Sequence, residues 1–111
     1  MAELSFEWDE GKNAANAKNH GIDFLDAALI FENPMLEAID DRADYGEVRY
    51  IAFGLSGETV LQVVYTRRGR NIIRIISAWK ANRHDTEKYY REIFASHDQK
   101  ESRSRRKQNP H

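Results

Sequence analysis

The chain of 111 residues contains no cysteine. That excludes a disulfide framework, a thiolate nucleophile and a cysteine-ligated zinc site. No apolar run approaches the roughly 20 residues that a membrane span needs. The first ten residues, MAELSFEWDE, are acidic and carry no apolar signal segment, so export is not expected and a cytoplasmic protein is. Its six glycines never gather into a phosphate-cradling loop, and its four histidines show no metal-ligand spacing with carboxylates. No metal and no cofactor is therefore expected. Asp40, Asp41 and Asp44 resemble a fragment of a calcium loop, but the glutamate such a loop requires downstream is not at the right spacing, so the stretch reads as solvated.

What the chain has is charge, unevenly placed. Residues 1–64 hold four Lys and Arg against thirteen Asp and Glu, a net of −9; residues 65–111 hold thirteen against five, a net of +8. Such a division suits one surface for a polyanion and another that takes a cationic partner, unless the halves interleave in space. The length supports one domain with a modest core, over residues 1–96, followed by a basic tail over 97–111 that is expected to be disordered.

Local signals give the order of elements. Phe6-Glu7-Trp8 reads as a short strand or extended lead-in. Asp9 is a good N-cap for a helix over 10–20, which Gly21 ends in a left-handed C-cap. Asp23 caps a second helix over 24–32, stopped by Asn33-Pro34. Then come a weakly alternating strand at Met35–Ile39, an acidic loop, and a hairpin of Val48–Leu55 and Thr59–Arg67 about the turn Ser56-Gly57. Asn71–Lys80, NIIRIISAWK, is the most apolar run and a central-strand candidate; a helix over Arg83–Ala95 follows. The expectation is an α+β domain: two N-terminal helices, an antiparallel sheet of three to four strands with a possible short N-terminal addition, a C-terminal helix, and the helices on one sheet face.

Strict alternation along the last strand puts Arg74 and Lys80 on one side with Ile72, Ile76 and Ala78. These cations either snorkel from a half-open face or line a polyanion site. The same counting on the neighbouring strands sends Arg49, Tyr65 and Arg67 toward that side. Arginine, lysine and tyrosine without metal ligands fit one reaction well. RNA cleavage by its own 2′-hydroxyl needs a base, cations for the phosphorane and an acid for the leaving 5′-oxygen. Arg49, Arg67 and Arg74 suit the electrostatic part; Lys80, Tyr65 or a histidine suits proton transfer; Trp79 or Tyr65 suits base stacking. His20 ends the first helix, where it either complements the dipole or carries protons. His84, His97 and His111 are weaker candidates.

Five stretches in order, FEWDEGKNAANAKNHGIDF, AALIFENP, GEVRYIAFG, VVYTRRG and RIISAWKA, resemble the BrnT toxins of bacterial type II toxin–antitoxin systems. The resemblance covers about residues 6–92. It implies a fold similar to the RelE ribonucleases, metal-independent RNA cleavage that stops translation, and neutralisation by a BrnA-like antitoxin. It also implies a toxin–antitoxin heterotetramer that reaches operator DNA only through the antitoxin's ribbon–helix–helix-type part. Carried over by position, the matching residues are Trp8, Asp9, Lys12, Asn16, His20, Gly21, Phe31, Pro34, Glu47, Arg49, Gly54, Tyr65, Thr66, Arg67, Arg74, Ser77, Ala78, Lys80 and Ala81. With the face-counting, this assigns catalysis to His20, Arg49, Tyr65, Arg67, Arg74 and Lys80, and RNA contact to Lys12, Arg68, Trp79 and Arg83. Two positions depart from the family pattern, Asn19 and Trp79, each standing where a basic residue is usual. An alternative reading follows from Trp79: a weakened toxin that serves as an antitoxin-binding corepressor.

Overall fold

A computed structural model describes the backbone of residues 3–108 and the side chains of residues 3–95. The N-terminal caps form as their residue types predict. Asp9 accepts the Lys12 amide at 2.9 Å to open α1 (Glu10–His20), and Gly21, at φ 71°, donates its own amide to the Ala17 carbonyl to close it. Asp23 opens α2 (Phe24–Ala28) by accepting the Leu25 amide at 2.8 Å. The single helix expected over 24–32 tightens instead into a 3₁₀ helix at Leu29–Glu32, a common way to finish a helix ahead of a stop.

Five strands form one sheet: β1 (Ser5–Glu7), β2 (Met35–Ile39), β3 (Tyr50–Ser56), β4 (Thr59–Arg68) and β5 (Ile72–Lys80), in the order β1-β5-β4-β3-β2. The sheet is mixed, not antiparallel throughout, because β1 pairs parallel with β5. The N-terminal segment is thus a fifth strand on the edge, and β3 starts two residues later than the sequence suggests.

β4 and β5 contain the most consequential departure. Val64 faces Ser77 but Tyr65 faces Ile75, so β5 has one extra residue, Ile76, at a β-bulge. Burial shows the phase change directly. Ile73 and Ile75 are buried two apart, and the next buried position is Ala78, three further on. Alternation before the bulge therefore does not continue after it.

One sheet face carries Ala52, Leu61, Val63, Tyr65, Ile73, Ile75 and Ala78 against Phe24, Ala27 and Ile30 of α2 and the 3₁₀ helix. The close approach requires Gly54: a β-carbon there would lie 2.8 Å from Ile30 Cβ. α1 is held to the β5 edge by Asn16, whose buried side chain accepts from the Ala78 amide at 3.0 Å and donates to the Ala78 carbonyl at 2.7 Å. β1 pairs only with residues 72–74, so this amide stands in for a strand further along the edge.

The third helix corrects the expectation of helices on one face only. α3 (Arg83–Gln108) packs on the other face, where Tyr89, Tyr90 and Ile93 meet Val60, Leu36, Phe53 and Leu55. The Tyr89 hydroxyl donates to the Pro34 carbonyl at 2.6 Å and anchors the helix near β2; burial raises this phenol's pKa. α3 continues past Ala95, through a sequence rich in helix-forming Lys, Glu, Gln and Arg and free of Gly and Pro. The tail expected to be disordered begins at 97, where side chains lie outside the described residues, as does all of 109–111. Because α3 covers the β2–β3 side, the β4–β5–β1 part of that face stays open. Among the described residues no helix is long and apolar enough to cross a membrane.

Candidate functional site

The open part of the α3-side face gathers three guanidinium groups. Arg74 lies across β5 from Thr66 of β4, and Arg68 lies two residues beyond Thr66 on the same strand and side. Arg49, one residue before β3, continues the alternation of Ile51 and Phe53. Glu47 ties two of the three together, 3.3 Å from Arg49 and 3.5 Å from Arg68; Glu7 of β1 lies 2.9 Å from Arg74. The Arg49 guanidinium also sits 4.1 Å above the Tyr45 ring. These ion pairs remain partly open to water, so each contributes little and leaves its guanidinium reachable from solvent.

The sheet separates residues that simple alternation had joined. Tyr65 is fully buried on the helix-covered face, between Phe31 and Tyr50. Arg67 follows it there, with its guanidinium 5.4 Å from the Tyr50 ring and 3.5 Å from Glu37. Lys80 pairs with Leu61, also on that side, because the bulge inverts every position after Ile76. The expected common face of Arg49, Tyr65, Arg67, Arg74 and Lys80 is therefore not formed. Arg49 and Arg74 share a face, and Arg68 completes the set.

Trp79 lies on the open side after the bulge. Its indole donates to Gln62 at 3.1 Å, and the His20 ring stands 5.7 Å away at the end of α1. Along β5, Trp79 is five residues from Arg74, at most about 16 Å at about 3.3 Å per residue. His20 and Trp79 thus stand apart from the arginines and are not part of their cluster. Lys12 is exposed on α1, and Arg83 is exposed at the start of α3, paired with Glu87 at 3.2 Å. Neither joins the cluster.

Three roles escaped the sequence reading. Glu7 and Glu47 are the counter-ions of the arginines; the Glu7–Arg74 and Glu47–Arg68 pairs join residues far apart in the sequence. Asn16, matched to the family by position alone, is buried. Asp40, taken as a solvated loop residue, is also buried and binds Arg42 through both carboxylate oxygens, at 2.7 and 2.8 Å. The guanidinium beside it holds its pKa down at about 2. Its amide donates to the Arg49 carbonyl at 2.7 Å, which fixes the root of the 40–47 loop next to the site. Among the described residues no three His, Asp or Glu side chains converge as a metal site.

This is a small α+β protein whose mixed five-stranded sheet presents an arginine-lined face. The solved structure of the Brucella abortus ribonuclease toxin, BrnT, shares the fold, with a TM-score of 0.55 and 24% sequence identity over 72% of this chain and 99% of that one. The chain belongs to the BrnT family: the model for the ribonuclease toxin, BrnT, of type II toxin–antitoxin systems matches residues 8–85. No curated protein matches the chain.

Proposed function

We propose that the protein is a metal-independent endoribonuclease that cleaves RNA in the cytoplasm, stops translation and is neutralised by a BrnA-like antitoxin. The convergence of Arg49, Arg68 and Arg74 on one open face, against displaceable carboxylates, is the observation that carries this reading. A phosphodiester seated there displaces Glu7 from Arg74 and accepts the guanidinium forks. Glu47, between Arg49 and Arg68, takes the proton of the 2′-hydroxyl. The 2′-oxygen attacks phosphorus, charge on the equatorial oxygens is met by the arginines, and the 5′-oxygen leaves with a proton from water on the open face. The products are a 2′,3′-cyclic phosphate and a 5′-hydroxyl, and no step calls for a metal. Trp79 stacks a neighbouring base, with His20 at its edge. The fold is read as RelE-like, as the family resemblance implies, with its cations on the open face. The inactive state is a heterotetramer with the antitoxin, which alone contacts operator DNA.

The test is cleavage of unlabelled RNA by the antitoxin-free protein in EDTA. Arg74→Ala is expected to lower kcat by about a hundredfold or more, as loss of one transition-state donor does. Glu47→Gln should abolish cleavage while RNA still binds. Intact RNA with the wild-type protein, together with unaffected translation, would sink the reading.

A further inference from the structure

Beside the arginine face, a groove of about 540 Å³ runs between the sheet and α3. Its floor is apolar: Leu36 and Ala38 of β2, Ile51 and Phe53 of β3. Its helical wall presents Asp85, Lys88 and Glu92, spaced three and four apart on one side of α3. Among the described residues neither Asp85 nor Glu92 is engaged in an ion pair. An apolar floor beside unneutralised carboxylates repels a polyanion and suits a segment that places aliphatic or aromatic side chains downward and Lys or Arg toward the helix.

We propose that this groove is the docking site for a cationic amphipathic segment of the antitoxin; the inference rests on the toxin reading above. The groove also supplies a route to neutralisation. Ile51 is two residues from Arg49 on the same side of the sheet, and Gln62, which lines the groove, binds the Trp79 indole at 3.1 Å. A chain lying in the groove therefore continues onto the arginine face or onto Trp79, and RNA and antitoxin exclude each other without sharing their main contacts. Binding energy comes from the apolar floor, and exclusion comes from position.

The experiment compares the full-length wild type with D85K/E92K and with Ala38→Arg, each titrated calorimetrically with purified antitoxin, alongside RNA cleavage by the same antitoxin-free preparations. Both sites of the double variant are on the α3 surface, and Ala38 is an exposed residue of the edge strand β2, so folding is expected to survive. The expected result is antitoxin affinity at least about tenfold weaker for both variants, since D85K/E92K reverses the charge of the wall and Ala38→Arg puts a cation and its bulk on the apolar floor, with cleavage unchanged. Unchanged antitoxin affinity in both variants overturns the groove assignment, whether or not RNA is cleaved. Cleavage that falls in both variants while antitoxin affinity holds assigns the groove to RNA and likewise overturns it. Weaker antitoxin binding by both variants of a protein that never cleaves RNA supports the groove and refutes the ribonuclease reading alone.

Discussion

Tyr65 offers a sharp test of how the faces are assigned. Its ring is fully buried, 5.0 Å from Phe31 edge-on and 5.4 Å from Tyr50 in a stack, and its hydroxyl has no hydrogen-bond partner among the described residues. A phenol that has lost its water and gained nothing costs the fold about 1–3 kcal/mol. Tyr65→Phe removes that cost and keeps both ring contacts. It leaves a gap one oxygen wide, which forfeits part of the gain through lost dispersion, on the order of 0.5–1 kcal/mol. The balance is a stabilisation of about 1 kcal/mol, or a Tm higher by roughly 4 °C for a domain of this size. Urea unfolding followed by the fluorescence of Trp8 and Trp79 reads the change as a higher midpoint. RNA cleavage should be unaltered, since the phenol is sealed beneath the helices. A variant less stable by 1 kcal/mol or more would mean that the hydroxyl is bonded and the burial argument fails. Loss of cleavage at full stability would mean that the phenol reaches RNA and that the open face is not the site.

Two further perturbations probe what frames the site. Asn16→Ala removes both bonds to the Ala78 backbone and a third to the Ile22 carbonyl at 2.8 Å; with buried groups left unpaired, a loss of about 3 kcal/mol is expected in chemical denaturation, and a loss under 1 kcal/mol would show that the β5 edge does not depend on this amide. At Asp40 the native pKa of about 2 lies below the ordinary carboxylate value, held there chiefly by the Arg42 hydrogen bonds and against the opposing effect of burial. A depressed carboxyl pKa stabilises the fold above the unfolded value near 4, and the benefit disappears as pH falls from about 4 to about 2. Wild type should therefore exceed Asp40→Asn in thermal stability at neutral pH and lose that advantage over this window; a gap that stays constant with pH would refute the ion pair's role.

Local chemistry in the sequence was enough for the caps and turns, because each is decided within a few residues. Asp9, Gly21 and Asp23 act as their types predict, and Gly57 turns the hairpin with φ 61°. The family resemblance was legible because its motifs are contiguous short stretches, some at these punctuated points and one, RIISAWKA, beginning within β5. What escaped depends on partners far along the chain. The parallel pairing of Phe6 with Ile73 leaves no period in a three-residue strand. Asn16 reaches Ala78 across 62 residues. The side of the sheet chosen by α3 follows from where Val60, Leu55 and Phe53 are left uncovered, which no helical period of α3 itself specifies.

The bulge at Ile76 explains why Arg74 and Lys80, expected on one side of the sheet, lie on opposite sides. No glycine or proline marks it, so alternation read from Arg74 runs unbroken through to Lys80 and puts both cations on one side. The extra residue gives β5 two phases. Before it, Arg74 faces the open side while Ile73 and Ile75 enter the core; after it, Trp79 faces the open side while Ala78 enters the core. Each phase satisfies a separate requirement: Ile73 and Ile75 must pack beneath α2, and Ala78 must be small where Asn16 brings α1 onto the edge. A strand without the bulge would meet only one of these. It would also bury Trp79 beneath α1 or expel Ile75 to water. Bulges concentrate beside functional sites because they re-aim side chains without changing the strand's partners. Here the same residue that reconciles two helices with one strand also puts an arginine and an aromatic, Arg74 and Trp79, on a shared face. The position that departs from the family pattern, Trp79, therefore lies on the same open side as Arg74, and Lys80, which matches that pattern, lies on the other.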